Sequence, residues 1–296
     1  MKEYTETLSL KNNTKWLFKY APFNLNTIKI LLNNELWFGK PDMQNDPNEA
    51  EFILTYNDKD YNCLDFKIKI QENLNNLIKN TDSGRKNPTG FERKEFEEEL
   101  KKVVRDYLGI CSMSTVCDDI QMWAHYADNN EGICLVFDKK NLINSIRAYK
   151  DKVTYSPTIA KAKFVKEGNT GHLITDKEFY MDKLKNWKDE SEYRFIRRYN
   201  DRIPQNSINR LESFREKAIV GIILGERFKH ENFKTIINLA LLKNFQKTFY
   251  FWRSAKNLNK NTMDIIPITD KYVNFHTPLK GYEFEHILYE TKRQII

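Results

Sequence analysis

The chain has 296 residues, of which 40% are hydrophobic and 13% aromatic, enough to bury a core and too apolar for global disorder. Its formal charge is +7, from 48 Lys+Arg against 41 Asp+Glu. That favours acidic partners such as nucleic acid, although charged residues of both signs are foremost a solvated surface. Cys63, Cys111, Cys117 and Cys134 form no CxxC pair and no Cys/His ligand spacing, which speaks against a structural zinc site and a secreted disulfide framework.

The first residues, MKEYTETLSLKNNTKW, lack the apolar core of a signal peptide. No apolar run approaches the ~20 residues that span a bilayer. A soluble, cytoplasmic protein without a membrane partner is expected.

In chain order, KWLFKYAPF (Lys15–Phe23) reads as a strand entering a Pro-containing turn. A helix carrying Ile28, Leu31 and Leu32 follows, capped at Asn26 or Thr27. Leu36–Phe38 reads as a strand and PDMQNDPNEA as a polar loop. Residues 65–107 read as helical. Within them Phe96, Leu100, Val103, Val104 and Tyr107 make one apolar face, and the charge run is its wet side. GICSMS (Gly109–Ser114) is a strand, and CDDIQMWAHYA a short helix with Asp118 and Asp119 at its positive end. After the turn at Asp128–Asn130, GICLVFD is a buried strand. KVTYS (Lys152–Ser156) and SEYRFIRRY (Ser191–Tyr199) are further strands, with a polar helix around 175–188 between them. AIVGIILG is a central strand, NFKTIINLALLKNF an amphipathic helix, and KTFYFWR and MDIIPI the last strands. Strands not regularly interleaved with helices indicate an α+β fold: one domain over 1–296 with a helical insertion at about 65–107. GxGxxG, Walker, HExxH and GxSxG signatures are absent.

Four places combine polar chemistry with strand ends: Lys19-Tyr20; Asn45-Asp46-Pro47 with Glu49; Trp123/His125/Tyr126; and Trp187, Glu190, Glu192 and Arg194. Each has a structural alternative. Tyr20 can anchor a strand edge, and Asn45 or Asp46 can form an Asx-turn. Trp123 shares a helix face with Ile120 and Ala127 and belongs to the core, whereas His125 and Tyr126 point elsewhere. Glu192 and Arg194, two apart on a strand, can be a same-face ion pair.

Together, LFKYAPF…ILLNNELWFGKPDMQNDPNEAEF, CSMSTVCDDIQMWAHYADNNEGICLVFD, KVTYS and NWKDESEYRFI resemble the bacterial domain of unknown function 2971 family, in order from about residue 15 to residue 255. MWAHYADNNEGICLVFD is the most specific part. The family implies no assigned activity.

The opening strand with its aromatic-Lys-Tyr pattern, followed by ILLNNELWF, is also similar to ADP-ribosyltransferase-like domains. That resemblance implies a split, mainly antiparallel sheet that grips NAD as substrate, with no metal. Lys19 and Tyr20 then match the first-strand position on the adenosine side, His125 and Tyr126 the nicotinamide-stacking position, and Glu192 the ribose contact. Lys stands at 19 where many such enzymes have His or Arg, and no Ser-Thr-Ser stretch occurs.

Those residue types suit the chemistry. Cleaving the nicotinamide–ribose bond builds oxocarbenium character, which a carboxylate on a ribose hydroxyl stabilises. Glu192 is assigned that role, and Glu190 that of general base for the acceptor. Tyr126 would stack on nicotinamide, and Lys19 or Arg194 would meet the pyrophosphate. Asn45 and Asp46 complete the candidate NAD-binding set. The expected function is an NAD-dependent ADP-ribosyltransferase or NAD glycohydrolase with a protein or nucleic-acid acceptor, as a toxin or phage-defence effector. The alternatives are a nucleic-acid-binding or nuclease module, using RFIRRY, Tyr250 and Trp252, and a non-catalytic interaction domain.

Overall fold

The structure, a computed structural model, describes residues 10–11, 13–55, 63–69, 90–199, 207–242 and 250–268. The chain folds as two compact units, each assembled from separate segments: Met1–Asn34, Thr115–Ser145 and Arg215–Ile296 in the first, Glu35–Ser114 and Ile146–Phe214 in the second.

The first unit contains β1 (Trp16–Ala21), α1 (Leu25–Asn33), α3 (Ile120–Tyr126), β6 (Ile133–Asp138), α4 (Lys139–Ser145), β14 (Ile219–Leu224), α5 (His230–Leu242), β15 (Tyr250–Lys256) and β16 (Met263–Pro267). Its strands lie in the order β16-β15-β14-β6-β1. β1 runs antiparallel to β6, from Trp16 opposite Asp138 to Ala21 opposite Ile133. β14 and β15 are parallel, which requires a crossover, and α5 supplies it. The helix α1 is capped at Asn24, two residues before the expected Asn26. The Asn24 side chain accepts from Asn26 N and Thr27 N, and Thr27 instead turns its hydroxyl to the Pro22 carbonyl at 2.6 Å.

α3 has the expected acidic start, with Asp119 accepting from Met122 N at 2.8 Å. Trp123 is fully buried. Its indole N–H donates to the Cys117 carbonyl at 2.9 Å, and its ring meets Tyr20 edge-on at 5.2 Å. Beyond the helix, Asp128, Asn129 and Asn130 are all left-handed, a conformation that Asn and Asp tolerate best. Gly132 follows because a Cβ there would lie 2.4 Å from the Ala21 carbonyl.

The second unit contains β2 (Glu35–Trp37), β3 (Phe52–Leu54), β4 (Cys63–Lys69), α2 (Gly90–Asp106), β5 (Leu108–Ser114), β7 (Tyr149–Lys152), β8 (Thr154–Ser156), β9 (Ala160–Glu167), β10 (Thr170–Thr175), β11 (Asp182–Leu184), β12 (Glu192–Arg198) and β13 (Leu211–Ser213). β12 is antiparallel to β5 on one side and β7 on the other. A four-stranded sheet runs β3-β9-β10-β4, and β2/β13 and β8/β11 make short pairs. The apolar face of α2, Phe96, Leu100, Val103, Val104 and Tyr107, is buried with Phe52, Phe66, Leu173, Phe179 and Ile196. Arg210 is also fully buried. It donates to the carbonyls of Phe38, Leu108 and Asp106 and lies over the Tyr199 ring.

The α+β class and the mainly antiparallel strand pairing are as expected. Two assignments are corrected. Residues 65–69, read as the start of a helix, lie in β4, where Phe66 is buried opposite Leu173 and Lys67 is exposed; residues 70–89 lie outside the described set. The polar helix around 175–188 is instead a 3-10 turn at Phe179–Met181, the strand β11, and a second 3-10 turn at Lys185–Glu190. Phe179, Tyr180 and Met181 are all buried, and three successive inward side chains do not fit one face of an α-helix.

Candidate functional site

The second unit builds its chemistry around Arg194. Asp46 opens the NDPNE turn: its Oδ1 accepts from Asn48 N at 2.8 Å and its carbonyl from Glu49 N at 3.0 Å. Asp46 therefore forms the Asx-turn that the sequence left open, while Asn45 is exposed. The turn delivers Glu49 to the interior. From the other side, Ser191 adopts a left-handed conformation (φ 47°) and starts β12, placing Glu192 and Arg194 on one face.

Arg194 is fully buried and grips two carboxylates at once. Its Nε and Nη2 donate to Glu192 at 2.7 and 2.9 Å, and its Nη1 and Nη2 to Glu49 at 2.6 and 3.0 Å. Nη1 also donates to the Tyr180 carbonyl at 2.7 Å. These five bonds match the five N–H groups of a guanidinium, so in this arrangement no donor is left for a pyrophosphate. Lys183 of β11 enters the same cluster. Its Nζ lies 2.6 Å from Glu190, 3.3 Å from Glu192 and 3.9 Å from Glu49, and 4.9 Å from the centre of the Trp187 ring. The Glu192 N–H donates to the Tyr155 hydroxyl at 2.9 Å.

Two cations thus face three carboxylates. Burial pushes Glu49 up, and the nearby Arg194 does not fully reverse it. Burial also acts on Glu192, but Arg194 and Lys183 outweigh it and hold its carboxyl at about 2. Burial would lower Lys183, yet Glu192, Glu49 and Glu190 raise it overall. Burial lifts the Tyr155 hydroxyl to about 12. Glu192 is therefore a fixed anion and Glu49 the neighbour that more readily takes a proton, two carboxylates pushed apart by their surroundings.

The first unit holds the other expected residues. Tyr20 is a core residue: it is buried, its hydroxyl donates to the Val116 carbonyl at 3.1 Å, and burial raises its pKa. Lys19 is half-buried on β1. His125 is exposed in the last turn of α3, and Tyr126 is half-buried against the cluster around Trp16, Phe18 and Trp123. Trp252 is a core residue at 3% exposure rather than a stacking platform, and the Tyr250 side chain lies outside the description. Of RFIRRY, Arg194 is buried, Arg197 pairs with Glu212, and Arg198 lies 4.3 Å over the Phe66 ring.

Glu192 and Arg194 meet as their two-residue spacing suggested, whereas Glu190, expected on the same strand face, ends the 3-10 turn before Ser191 and joins the cluster through Lys183. Lys183 and Tyr155 were missed. The signal for Lys183 was a lone cation between Met181 and Leu184; the signal for Tyr155 was the single aromatic of KVTYS. Among the described residues no group of three or more His, Cys, Asp or Glu side chains is placed to hold a metal ion. None of their helices is long and apolar enough to cross a membrane.

Fold and site define an α+β protein with a buried carboxylate–guanidinium–carboxylate clamp. Residues 122–195 match the family model described as Protein of unknown function (DUF2971), so the resemblance drawn from the sequence is supported over about a quarter of the chain. The matched segment runs from Met122 in α3 to Phe195 in β12 and includes Lys183, Glu190, Glu192 and Arg194. Neither curated proteins nor solved structures give a match.

Proposed function

We propose that the protein is an NAD-consuming enzyme, an ADP-ribosyltransferase or NAD glycohydrolase, with Glu192 as the carboxylate that stabilises the ribose oxocarbenium. The observation that carries the reading is the Glu192 carboxylate itself, on the first residue of a strand and held ionised and oriented by Arg194 and Lys183. A charge fixed before the reaction costs no reorganisation when positive charge develops. Glu190, which meets Lys183 and is less buried than Glu192, remains the base for the acceptor. Arg194 acts by positioning Glu192 and not by binding phosphate. The acceptor is a protein or nucleic acid, in keeping with a toxin or phage-defence effector. The test is nicotinamide release from NAD by wild type and by Glu192→Gln, with and without cellular protein and RNA.

A non-catalytic reading draws on one specific observation: every Arg194 donor is satisfied and Glu192 is only 4% exposed. On that reading the clamp is scaffold, and Glu192→Gln lowers stability with no NAD turnover to lose.

A further inference from the structure

In the first unit, β14, α5 and β15 form a strand–helix–strand crossover with parallel strands. Arg253 of β15 stands opposite Leu224, the last residue of β14, and its Nη2 donates to the Glu226 carbonyl at 3.3 Å. Its Nη1 is buried and has no hydrogen-bond partner. The Glu226 carboxylate accepts from Lys256 N at 3.3 Å, and Glu131, beside Asn130 in sequence, pairs with Arg227 and Lys229 at 3.2 Å each. A buried cationic donor left unpaired is costly and asks for an acceptor.

A second unsatisfied group flanks the same turn. The Asn130 carbonyl accepts from Arg227 N at 2.9 Å, and it lies so close to Gly225 that a Cβ there would come within 2.1 Å. The Asn130 side-chain Oδ1 is buried and unpartnered. A carboxamide can turn either its oxygen or its NH₂ to one spot. Asn130 also closes the run of three left-handed residues, the kind of strain that accumulates at ligand sites. One guanidinium nitrogen and one carboxamide oxygen, both unsatisfied, therefore belong to residues that meet the Gly225–Arg227 turn, Arg253 through Nη2 and Asn130 through its backbone carbonyl, at the carboxyl end of a parallel strand pair, where open sheets hold ligands.

We propose that Arg253, Asn130 and the Gly225–Glu226 turn form a binding site for a phosphate-type oxyanion. Arg253 supplies the charge and a forked donor set suited to tetrahedral oxyanions. Asn130 donates to an anion oxygen or accepts from a P–OH, and Gly225 keeps the backbone close. The site does not rest on the NAD reading.

Calorimetric titration of the full chain with inorganic phosphate, and separately with ADP, tests it. Saturable phosphate binding is expected, weakened at least tenfold by Arg253→Gln. Asn130→Asp tolerates the left-handed backbone but adds negative charge, and it weakens binding as well. Lys152→Gln, which removes an exposed charge elsewhere, leaves binding unchanged. Tighter binding of ADP than of phosphate identifies a nucleotide as the carrier, and equal binding identifies the free anion. Absence of saturable binding of either anion to protein with a cooperative melt overturns the proposal. So does equal weakening by Lys152→Gln and Arg253→Gln, which would assign the effect to overall charge.

Discussion

Glu49 and Arg194 lie 145 residues apart in sequence and meet as a two-point ion pair, Nη1–Oε1 at 2.6 Å and Nη2–Oε2 at 3.0 Å. The NDPNE turn and the strand β12, otherwise unrelated stretches, are joined by it. The same guanidinium fixes Glu192, so Glu49 sets the orientation of a carboxylate it does not touch.

Replacing Glu49 with Ala leaves Arg194 fully buried with two of its donor directions empty. Breaking a buried pair from one side costs about 3–5 kcal/mol. Urea unfolding is expected to show a loss of that size with an unchanged m-value.

The two carboxylates give opposite pH signatures. Glu192 is depressed from the ordinary 4.5 to about 2, so its contribution is fully present above about 4.5 and is lost as pH falls toward 2. Glu49 is raised, so its contribution is present below the ordinary value and is lost as pH rises through its folded value. Glu192→Gln is therefore expected to flatten the fall in stability between about pH 4.5 and 2, measured by denaturant midpoints across that range. An undiminished acid limb in the variant would place its origin elsewhere.

Tyr155→Phe removes the acceptor of the Glu192 N–H while keeping the ring. An unsatisfied amide costs about 1–3 kcal/mol, and amide exchange at Glu192 is expected to speed up. Protection equal to wild type would contradict the bond.

Two glycines separate packing from conformation. Gly168 is left-handed with open space around it, whereas a Cβ on Gly132 meets the Ala21 carbonyl at 2.4 Å and Ala127 at 2.9 Å. Gly168→Ala is expected to cost about 1–2 kcal/mol from backbone alone. Gly132→Ala must move β1 or the end of α3, and melting should place it well below Gly168→Ala.

Periodicity and turn chemistry carried much of the fold. The stripe of α2, the Asp119 cap and the apolar strands β6 and β14 were legible because each is fixed by local pattern. β9 and β10 were not read, although Gly168-Asn169 between Glu167 and Thr170 is a two-residue hairpin loop of a recognisable kind. β4 was lost because its residues 65–69 run on into a longer helical pattern. In the site, Glu192 and Arg194 were legible from two-residue spacing, and the Asx-turn at Asp46 from composition. Lys183, and Glu49 as the partner of Arg194, were not, since only the tertiary fold brings β11 and the NDPNE turn to β12. Tyr20 and Trp252 looked usable as ligand contacts because sequence does not say which aromatics the core takes.

Nicotinamide release from NAD, scored beside the melting temperature for wild type and Glu192→Gln, addresses the proposed activity most directly. Glu192 as the ribose carboxylate predicts release by wild type and a fall of about 10²–10³-fold in the variant, with the variant still melting cooperatively. No release by folded wild-type protein, together with no calorimetric binding of NAD, would contradict it and leave the Glu49–Arg194–Glu192 clamp as scaffold.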